Sequence, residues 1–183
     1  MNLIRMNYLE HDIQSGINGI LKGKPMRRKD REITDMKEIL KIIGKCEVCR
    51  LALFDEEHPY IIPLNFGFSY EDERLKLYFH GAKEGKKLDL IKRNPKAAFE
   101  MDCSHELVTG PEACDYSMNY ESVCGNGTIT LLDQSNTEFA LRRLMKQYTD
   151  DADLKFNEAH LNAVAVFELS VENITGKSRP PKK

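Results

Sequence analysis

Two adjacent lysines, Lys86 and Lys87, stand where the sequence predicts the start of a helix. Residues 75–80 before them read as a short apolar strand, and a glycine-rich turn separates that strand from the lysines. A helix start offers free backbone N–H groups and a partial positive charge, so two further ammonium groups would make a binding place for phosphate. The alternative is a solvated lysine pair on an exposed helix.

The predicted helix has its own start and stop signals. Leu88, Leu90 and Ile91 give it a buried side, and Asn94-Pro95 ends it, because the residue before a proline avoids the helical conformation. The pattern therefore predicts a helix whose first residues are the two lysines.

Residues 60–68, Tyr-Ile-Ile-Pro-Leu-Asn-Phe-Gly-Phe, are a second candidate binding segment. Pro63 cannot donate to a sheet ladder, so the strand is irregular or at an edge there, and neighbouring backbone groups are left to pair with a ligand. A mononucleotide flavin needs cations for its phosphate, backbone groups for its uracil-like edge and an apolar wall for its ring. The lysine turn and this strand together meet those needs. The alternative is an edge strand with nothing bound.

The five cysteines favour reduced thiols over a disulfide framework. Cys46 and Cys49 have metal-ligand spacing, but they lie inside a strand-like run and no second pair exists. Cys103 and His105 are the other nearby candidates. A zinc site is the alternative to buried thiols, and we expect no metal.

The composition of the 183 residues, 41% hydrophobic and 31% charged, is that of an ordinary globular protein. A net charge of −2 predicts no nucleic-acid or anionic-membrane partner. We expect no transmembrane helix and no secretory signal, because charges interrupt every apolar run. The default expectation is a cytoplasmic location.

Hydrophobic periodicity predicts several strands and a few helices. Asp35 and Glu38 form a capping pair before a helix that ends at Gly44, and Ser135 and Glu138 form a capping box for a helix ending near Thr149. Gly125-Asn126-Gly127 predicts a bulge. The strands are predicted at residues 46–54, 60–68, 75–80, 96–103, 120–133 and 163–171, with a less regular segment at 104–119.

Successive strands joined by tight turns predict an antiparallel barrel rather than a βαβ sheet. The predicted fold is mainly β (α+β), a six-stranded antiparallel split barrel with flanking helices. Residues 1–25 are predicted to be an N-terminal extension, 26–177 the domain, and 178–183 a flexible tail.

Several short motifs, in order and spacing, resemble the pyridoxamine 5′-phosphate oxidase-like flavoproteins of the FMN-binding split-barrel fold. Within them the chain is most similar to the Nim branch, named for 5-nitroimidazole resistance. The matching pieces lie at residues 26–33, 48–52, 60–67, 77–88, 94–95, 120–127 and 174–177.

The resemblance implies a homodimer with two flavin sites at the subunit interface. The implied ring-lining residues are Ile62, Pro63, Leu64 and Asn65. The residues implied along the ring and ribityl chain are Tyr78, His80 and Gly81. Lys86 and Lys87 would hold the phosphate, while Ser122 and Val123 would approach from the partner subunit.

Two departures from the true oxidases are visible. Those enzymes carry arginine where this chain has Lys86, so a bidentate phosphate contact is lost. The C-terminal arginine and histidine that grip pyridoxal phosphate are missing from this tail, so vitamin B6 oxidation is not expected.

The resemblance makes His80 the candidate catalytic residue, because a near-neutral pKa suits proton delivery. The alternative is a histidine that only hydrogen-bonds the flavin or the backbone. Cys124, close to Ser122, is either redox active or a packed thiol.

The predicted function is an FMN-dependent oxidoreductase that passes electrons from a reduced cofactor to a small acceptor such as a nitroaromatic. The alternatives are a flavin- or haem-binding carrier or sensor without turnover, and a plain interaction protein. FAD or haem in place of FMN, the substrate and the electron donor stay open.

Overall fold

The computed structural model describes residues 27–179. The predicted extension at 1–25 and residues 180–183 of the predicted tail lie outside this range. The helices are α1 (Met36–Lys45), α2 (Lys86–Arg93), α3 (Thr137–Met145) and α4 (Glu158–Ala163). Short 3₁₀ turns occupy Lys29–Arg31, Ala113–Asp115 and Gln134–Asn136.

Eight strands form one antiparallel sheet. They are β1 (Glu32–Ile33), β2 (Cys49–Leu53), β3 (Tyr60–Leu64), β4 (Gly67–Glu71), β5 (Arg74–Ala82), β6 (Lys96–Val108), β7 (Ser117–Leu131) and β8 (Val164–Arg179). Their order is β3-β2-β6-β7-β8-β5-β4, and β1 pairs with β8. The predicted mainly β, antiparallel class is confirmed.

The predicted count of six strands is wrong. Residues 60–68 divide into β3 and β4 because the strand is interrupted at Asn65 and Phe66. Phe66 is fully buried, and its backbone N–H donates to the Tyr148 hydroxyl at 2.9 Å. The short β1 is the other addition. Within residues 27–179 no pairing joins β3 to β4, so the sheet is open and the predicted barrel closure is not found.

The strands β6 and β7 extend beyond their predicted limits into the segment 104–119. Ser104 adopts φ 58°, and the register shifts between Cys103 and Glu106. A bulge of this kind lets the hairpin continue past an irregular, polar stretch. The predicted bulge near Gly125-Asn126-Gly127 is also present, as a register shift between Asn126 and Gly127.

One predicted helix cap forms and the other does not. Asp35 accepts from the backbone N–H of Lys37 at 2.9 Å, while Glu38 pairs instead with Lys41 at 2.8 Å. Ser135 lies within a 3₁₀ turn, and α3 begins two residues later without a side-chain cap, so the predicted capping box is wrong.

The main core lies between the sheet and helices α1 and α2, which contribute apolar side chains such as Ile39, Ile43 and Leu90. A smaller cluster beneath α3 contains Tyr78, Ala140 and Val166.

The last strand, β8, extends beyond its predicted end at residue 171. Ser178, near the end of β8, still pairs with Glu121 of β7. None of the helices within residues 27–179 is long and apolar enough to span a membrane.

Candidate functional site

The start of α2 is the first part of the candidate site. Gly85 precedes the helix at φ 122°, a conformation that favours glycine, and no side chain caps the helix. The Gly85 carbonyl accepts from the backbone N–H of Leu88 at 2.9 Å. The first backbone N–H groups of a helix have no partner within it, so this turn presents donors and positive charge together. The predicted helix boundaries are confirmed.

Lys86 is already paired. Its ammonium lies 2.7 Å from Asp55 Oδ2 and 5.2 Å from the centre of the Tyr60 ring, and its side chain is 58% exposed. The hydrogen bond to Asp55 raises the pKa of Lys86, and the same bond lowers the pKa of Asp55. Any anion bound by Lys86 therefore has to compete with a carboxylate.

Lys87 is half-buried and forms no ion pair with any residue in the range 27–179. Its ammonium lies 5.3 Å from the centre of the Phe167 ring, which stacks on Phe79. A Cβ atom at Gly81 would clash with the Lys87 ammonium, so the glycine leaves room for this side chain. Burial lowers the pKa of Lys87, because a partly desolvated ammonium without a counter-ion is unfavourable.

His80 carries the unusual polar atoms of the site. Both ring nitrogens are buried, and neither has a hydrogen-bond partner among the described residues. Burial, and secondly the charge of Lys87, lowers the pKa of His80 below its ordinary value of 6.5. The imidazole is therefore mainly neutral at neutral pH, with one N–H to donate and one nitrogen to accept.

The face of β5 that carries His80 also carries Tyr78, since side chains two residues apart share a face. Tyr78 is 3% exposed, its hydroxyl lies 3.1 Å from Ser69 Oγ, and its ring meets Phe139 edge-on. Gly81 belongs to the opposite face, where Lys87 lies. His80 and Lys87 thus flank the end of β5 from opposite faces.

The β3 segment is an edge strand, as Pro63 predicted, because it ends the strand order. Ile62 and Leu64 pack against the core. Pro63 is exposed, and the Asn65 amide donates to the Glu47 carbonyl at 3.4 Å. The contact of Lys86 with Tyr60 brings the start of this strand to the start of α2.

Ser122 and Val123 lie on β7, near the middle of the sheet. Val123 is fully buried in the core of its own chain, and it pairs with Met101 and Gly176 on the two neighbouring strands. Ser122 is half-buried and stands between Asp102 and Lys177 in the sheet. Their approach to a second subunit stays a prediction.

An open cavity of about 370 Å³ lies where the end of β7, the start of β8 and α2 meet. Its lining includes Lys83, Lys92, Leu132 and Val166. Val166 is the direct cross-strand neighbour of His80, but none of the predicted cofactor residues lines the cavity.

The sequence interpretation missed two residues of this site. Asp55 neutralises Lys86, and Phe167 forms the surface beneath Lys87. Asp55 opens the turn after β2, and nothing in its spacing points to α2. Phe167 lies in an apolar run that predicts only a strand.

Metal ligands do not cluster within residues 27–179, where no group of three or more His, Cys, Asp or Glu residues could hold an ion. The described cysteines are free thiols. Cys49 is fully buried and Cys124 is exposed.

Comparison with known proteins places this geometry in a family. Residues 35–178 match the family model described as pyridoxamine 5′-phosphate oxidase. A candidate 5-nitroimidazole antibiotic resistance protein from Bacteroides thetaiotaomicron is 30% identical, with 92% of this chain and 96% of that chain covered and a TM-score of 0.69. The resemblance inferred from the sequence is confirmed. No curated protein matches the chain.

Two further structures share the fold at lower identity. The flavocytochrome Anf3 from Azotobacter vinelandii is 16% identical, with a TM-score of 0.73 over 90% of this chain and 77% of that chain. An FAD- and haem-binding protein from Mycobacterium smegmatis is 19% identical, with a TM-score of 0.72 over 84% of this chain and 77% of that chain. At these identities the likeness shows the fold alone.

Proposed function

Because the chain belongs to the pyridoxamine 5′-phosphate oxidase family, we propose that it is a flavin-dependent oxidoreductase of the Nim type. The proposed cofactor is FMN, the proposed acceptor a small nitroaromatic such as a 5-nitroimidazole, and the proposed assembly a homodimer with a flavin site at each interface. The observation that carries the proposal concerns two groups at the end of β5. The His80 ring nitrogens have no hydrogen-bond partner among the described residues, and the half-buried Lys87 ammonium forms no ion pair there.

Lys87 is the proposed main phosphate ligand. Within the described chain its half-buried ammonium has no counter-ion, so a phosphate would relieve a charge that burial makes unfavourable. The uncapped start of α2 would add backbone N–H donors to the same anion. Lys86 would contribute less, because Asp55 already binds it. These features fit the phosphate end of a flavin mononucleotide.

In this proposal each subunit supplies only part of the site. The ring-lining residues Ile62, Pro63, Leu64 and Asn65 lie on and just after an edge strand, and Ser122 lies on a central strand. An interface between two subunits would account for a site none of whose residues lines the cavity beside α2 described above.

A bound flavin would supply two-electron transfer between a reduced donor and the acceptor. His80 would hold the proton that the acceptor takes up during reduction. Its lowered pKa makes the imidazolium a stronger acid than a solvent-exposed histidine. A phosphate on Lys87 would cancel part of the charge that lowers this pKa, so binding would favour the protonated imidazole.

A carrier or sensor of flavin or haem is the second candidate. The same observation favours it, since a neutral, unpaired imidazole is also a haem-iron ligand. Haem is considered beside flavin because two proteins that share this fold are described as a flavocytochrome and as an FAD- and haem-binding protein. Flavin bands or a Soret band in the purified protein separate the two cofactors.

The test of turnover is anaerobic stopped-flow reoxidation of the reduced, FMN-loaded protein by a 5-nitroimidazole. His80→Ala should keep the flavin yet slow reoxidation by about 10²–10⁴-fold, the usual range for loss of a general acid. The matched control is His160→Ala, which removes an exposed histidine of α4 and should change nothing.

The pH profile sharpens this test. The protonated fraction of His80 falls as pH rises through its pKa, which burial places below 6.5, so the parental rate should fall with rising pH while His80→Ala stays flat. Equal rates in parent and His80→Ala would remove His80 from the reaction. A parent that binds flavin but is never reoxidised would favour the carrier.

A further inference from the structure

We propose that the open cavity beside α2 is a second binding site, which takes a small organic anion with a short apolar body, such as a medium-chain monocarboxylate. The cavity is the one of about 370 Å³ where α2, the end of β7 and the start of β8 meet. None of the residues proposed for the flavin lines it, so this inference is independent of the proposed function.

The size and the walls of the cavity suit a small amphipathic molecule. Its volume lies near the lower end of the range for small-molecule sites, about 300–1,000 Å³. Leu88, Leu132 and Val166 form part of an apolar wall, and both Leu88 and Val166 are almost fully buried. Leu131 extends this wall to the surface, where 37% of the residue stays exposed. A ligand body that packs on this wall would be removed from water.

Two lysines also line the cavity. Lys83 directly follows β5, and Lys92 lies in the last turn of α2. Lys83 donates to the Gln134 side-chain oxygen at 3.3 Å, a neutral partner that leaves the charge of the ammonium uncompensated. The Lys92 side chain forms no ion pair or hydrogen bond with any residue in the range 27–179. An anion in the cavity would therefore meet two ammonium groups that no carboxylate already binds.

Thr137, the first residue of α3, supplies a hydroxyl. The residue is 2% exposed and lines the cavity, and its hydroxyl has no hydrogen-bond partner among residues 27–179. Within that range, the side-chain polar atoms that are wholly enclosed and unpartnered are the two ring nitrogens of His80. The Thr137 hydroxyl therefore keeps some access to solvent, and the cavity provides that access. It is a buried donor that a bound carboxylate would satisfy.

The balance of charge favours an anion over a cation. Asp133 also lines the cavity, and its carboxylate forms no ion pair with a described residue. Two ammonium groups outweigh that single negative charge, and the start of α3, which no side chain caps, adds its own partial positive charge. Asp133 therefore lowers the affinity for an anion without reversing the preference.

The experiment measures octanoate binding to the purified protein by isothermal titration calorimetry, with saturating FMN present and absent. Octanoate should bind in both conditions. Hexanoate, which is two methylene groups shorter, should bind about 15-fold more weakly, at roughly fourfold per buried methylene. Octanamide, which has the same body without the charge, should bind about 5- to 20-fold more weakly than octanoate, because two ion pairs are lost.

Substitutions in the cavity test where the octanoate lies. Thr137→Val keeps the shape of the side chain and removes the hydroxyl, so octanoate should bind about 2- to 10-fold more weakly. Lys92→Gln should weaken binding about 2- to 5-fold, and Asp133→Asn should strengthen it by a similar factor. The matched control is Lys37→Gln, which removes an exposed lysine of α1 and should leave the affinity unchanged.

Several results would overturn the proposal. A parent protein that does not bind octanoate would do so directly. Displacement of octanoate by FMN would place the carboxylate in the flavin site instead. Equal affinities for octanoate, hexanoate and octanamide would mean that neither the apolar wall nor the lysines recognise the ligand. Equal weakening in Lys92→Gln and Lys37→Gln would show attraction to the overall charge of the protein rather than to this cavity.

Discussion

Helices α1 and α2 both bury an apolar face in the same core, but their first turns are built differently. At the start of α1, the Asp35 carboxylate accepts from the Lys37 backbone N–H. At the start of α2, Gly85 provides no cap, and two lysines add positive charge where the helix is already positive.

The difference separates a helix start that stabilises the fold from one that we propose binds a ligand. The α1 start has a side-chain cap from its own chain, whereas the α2 start has none and would accept an anion. Of its two lysines, Lys86 forms an ion pair with the Asp55 carboxylate. Lys87 forms no ion pair within the described residues. Each of the following changes tests this distinction.

The largest expected effect is on flavin affinity. Lys87→Ala should weaken FMN binding by about 1.5–3 kcal/mol, roughly 10- to 150-fold, since a charge-assisted contact to phosphate is lost. Titration of FMN fluorescence measures this, and riboflavin, which lacks the phosphate, should bind both proteins equally weakly. Lys86→Ala is the matched control and should lose clearly less. If the two single variants bind FMN alike, the distinction between the lysines fails.

A smaller effect is expected at α1. Asp35→Ala should lower the free energy of unfolding by about 1 kcal/mol, because the Lys37 N–H loses its partner. For a chain of this size that corresponds to a fall in Tm of about 2–4 °C. Thermal unfolding followed by circular dichroism gives the value, and Asp35→Asn, which keeps an acceptor, is the control. FMN affinity should stay unchanged; a parallel loss of affinity would mean that the two helix starts are coupled.

The smallest expected effect concerns Asp55. Asp55→Asn removes the carboxylate that competes for Lys86, so FMN should bind a few-fold more tightly, while a surface ion pair of this kind adds little to stability. Glu57→Gln, an exposed change in the same turn, should leave affinity unchanged. Weaker FMN binding in Asp55→Asn would show that Asp55 positions Lys86 for the phosphate rather than competing with it.

Local signals predicted α2 well. Its start after Gly85 and its end before Asn94-Pro95 depend on short-range backbone preferences, and these can be read within one or two turns of sequence. The edge position of β3 also followed from one residue, because Pro63 lacks an N–H group.

Long-range contacts explain what the sequence did not predict. The break between β3 and β4 depends on Phe66 and Tyr148, which are 82 residues apart. The neutralisation of Lys86 depends on Asp55, which precedes it by a strand and a hairpin. A continuous apolar run or an acidic turn looks the same in sequence whether or not these contacts exist.

The candidate site shows the same limit. Tyr78, His80 and Gly81 were predicted as one group, but successive residues of a strand point to opposite faces, so the strand separates His80 from the Gly81 side. Both His80 nitrogens are buried without a partner among residues 27–179. This depends on neighbouring strands and cannot be inferred from residue type.

The proline of β3 has a consequence for how copies of this chain meet one another. Among the described residues β3 pairs with β2 alone, so its other side is a free sheet edge. Pro63 lacks the backbone N–H that an ordinary residue of an edge strand could donate. The exposed side chain of Ile61 stands beside it. An incoming strand would find apolar surface but an interrupted row of donors, so we expect Pro63 to disfavour edge-to-edge pairing between copies of this chain.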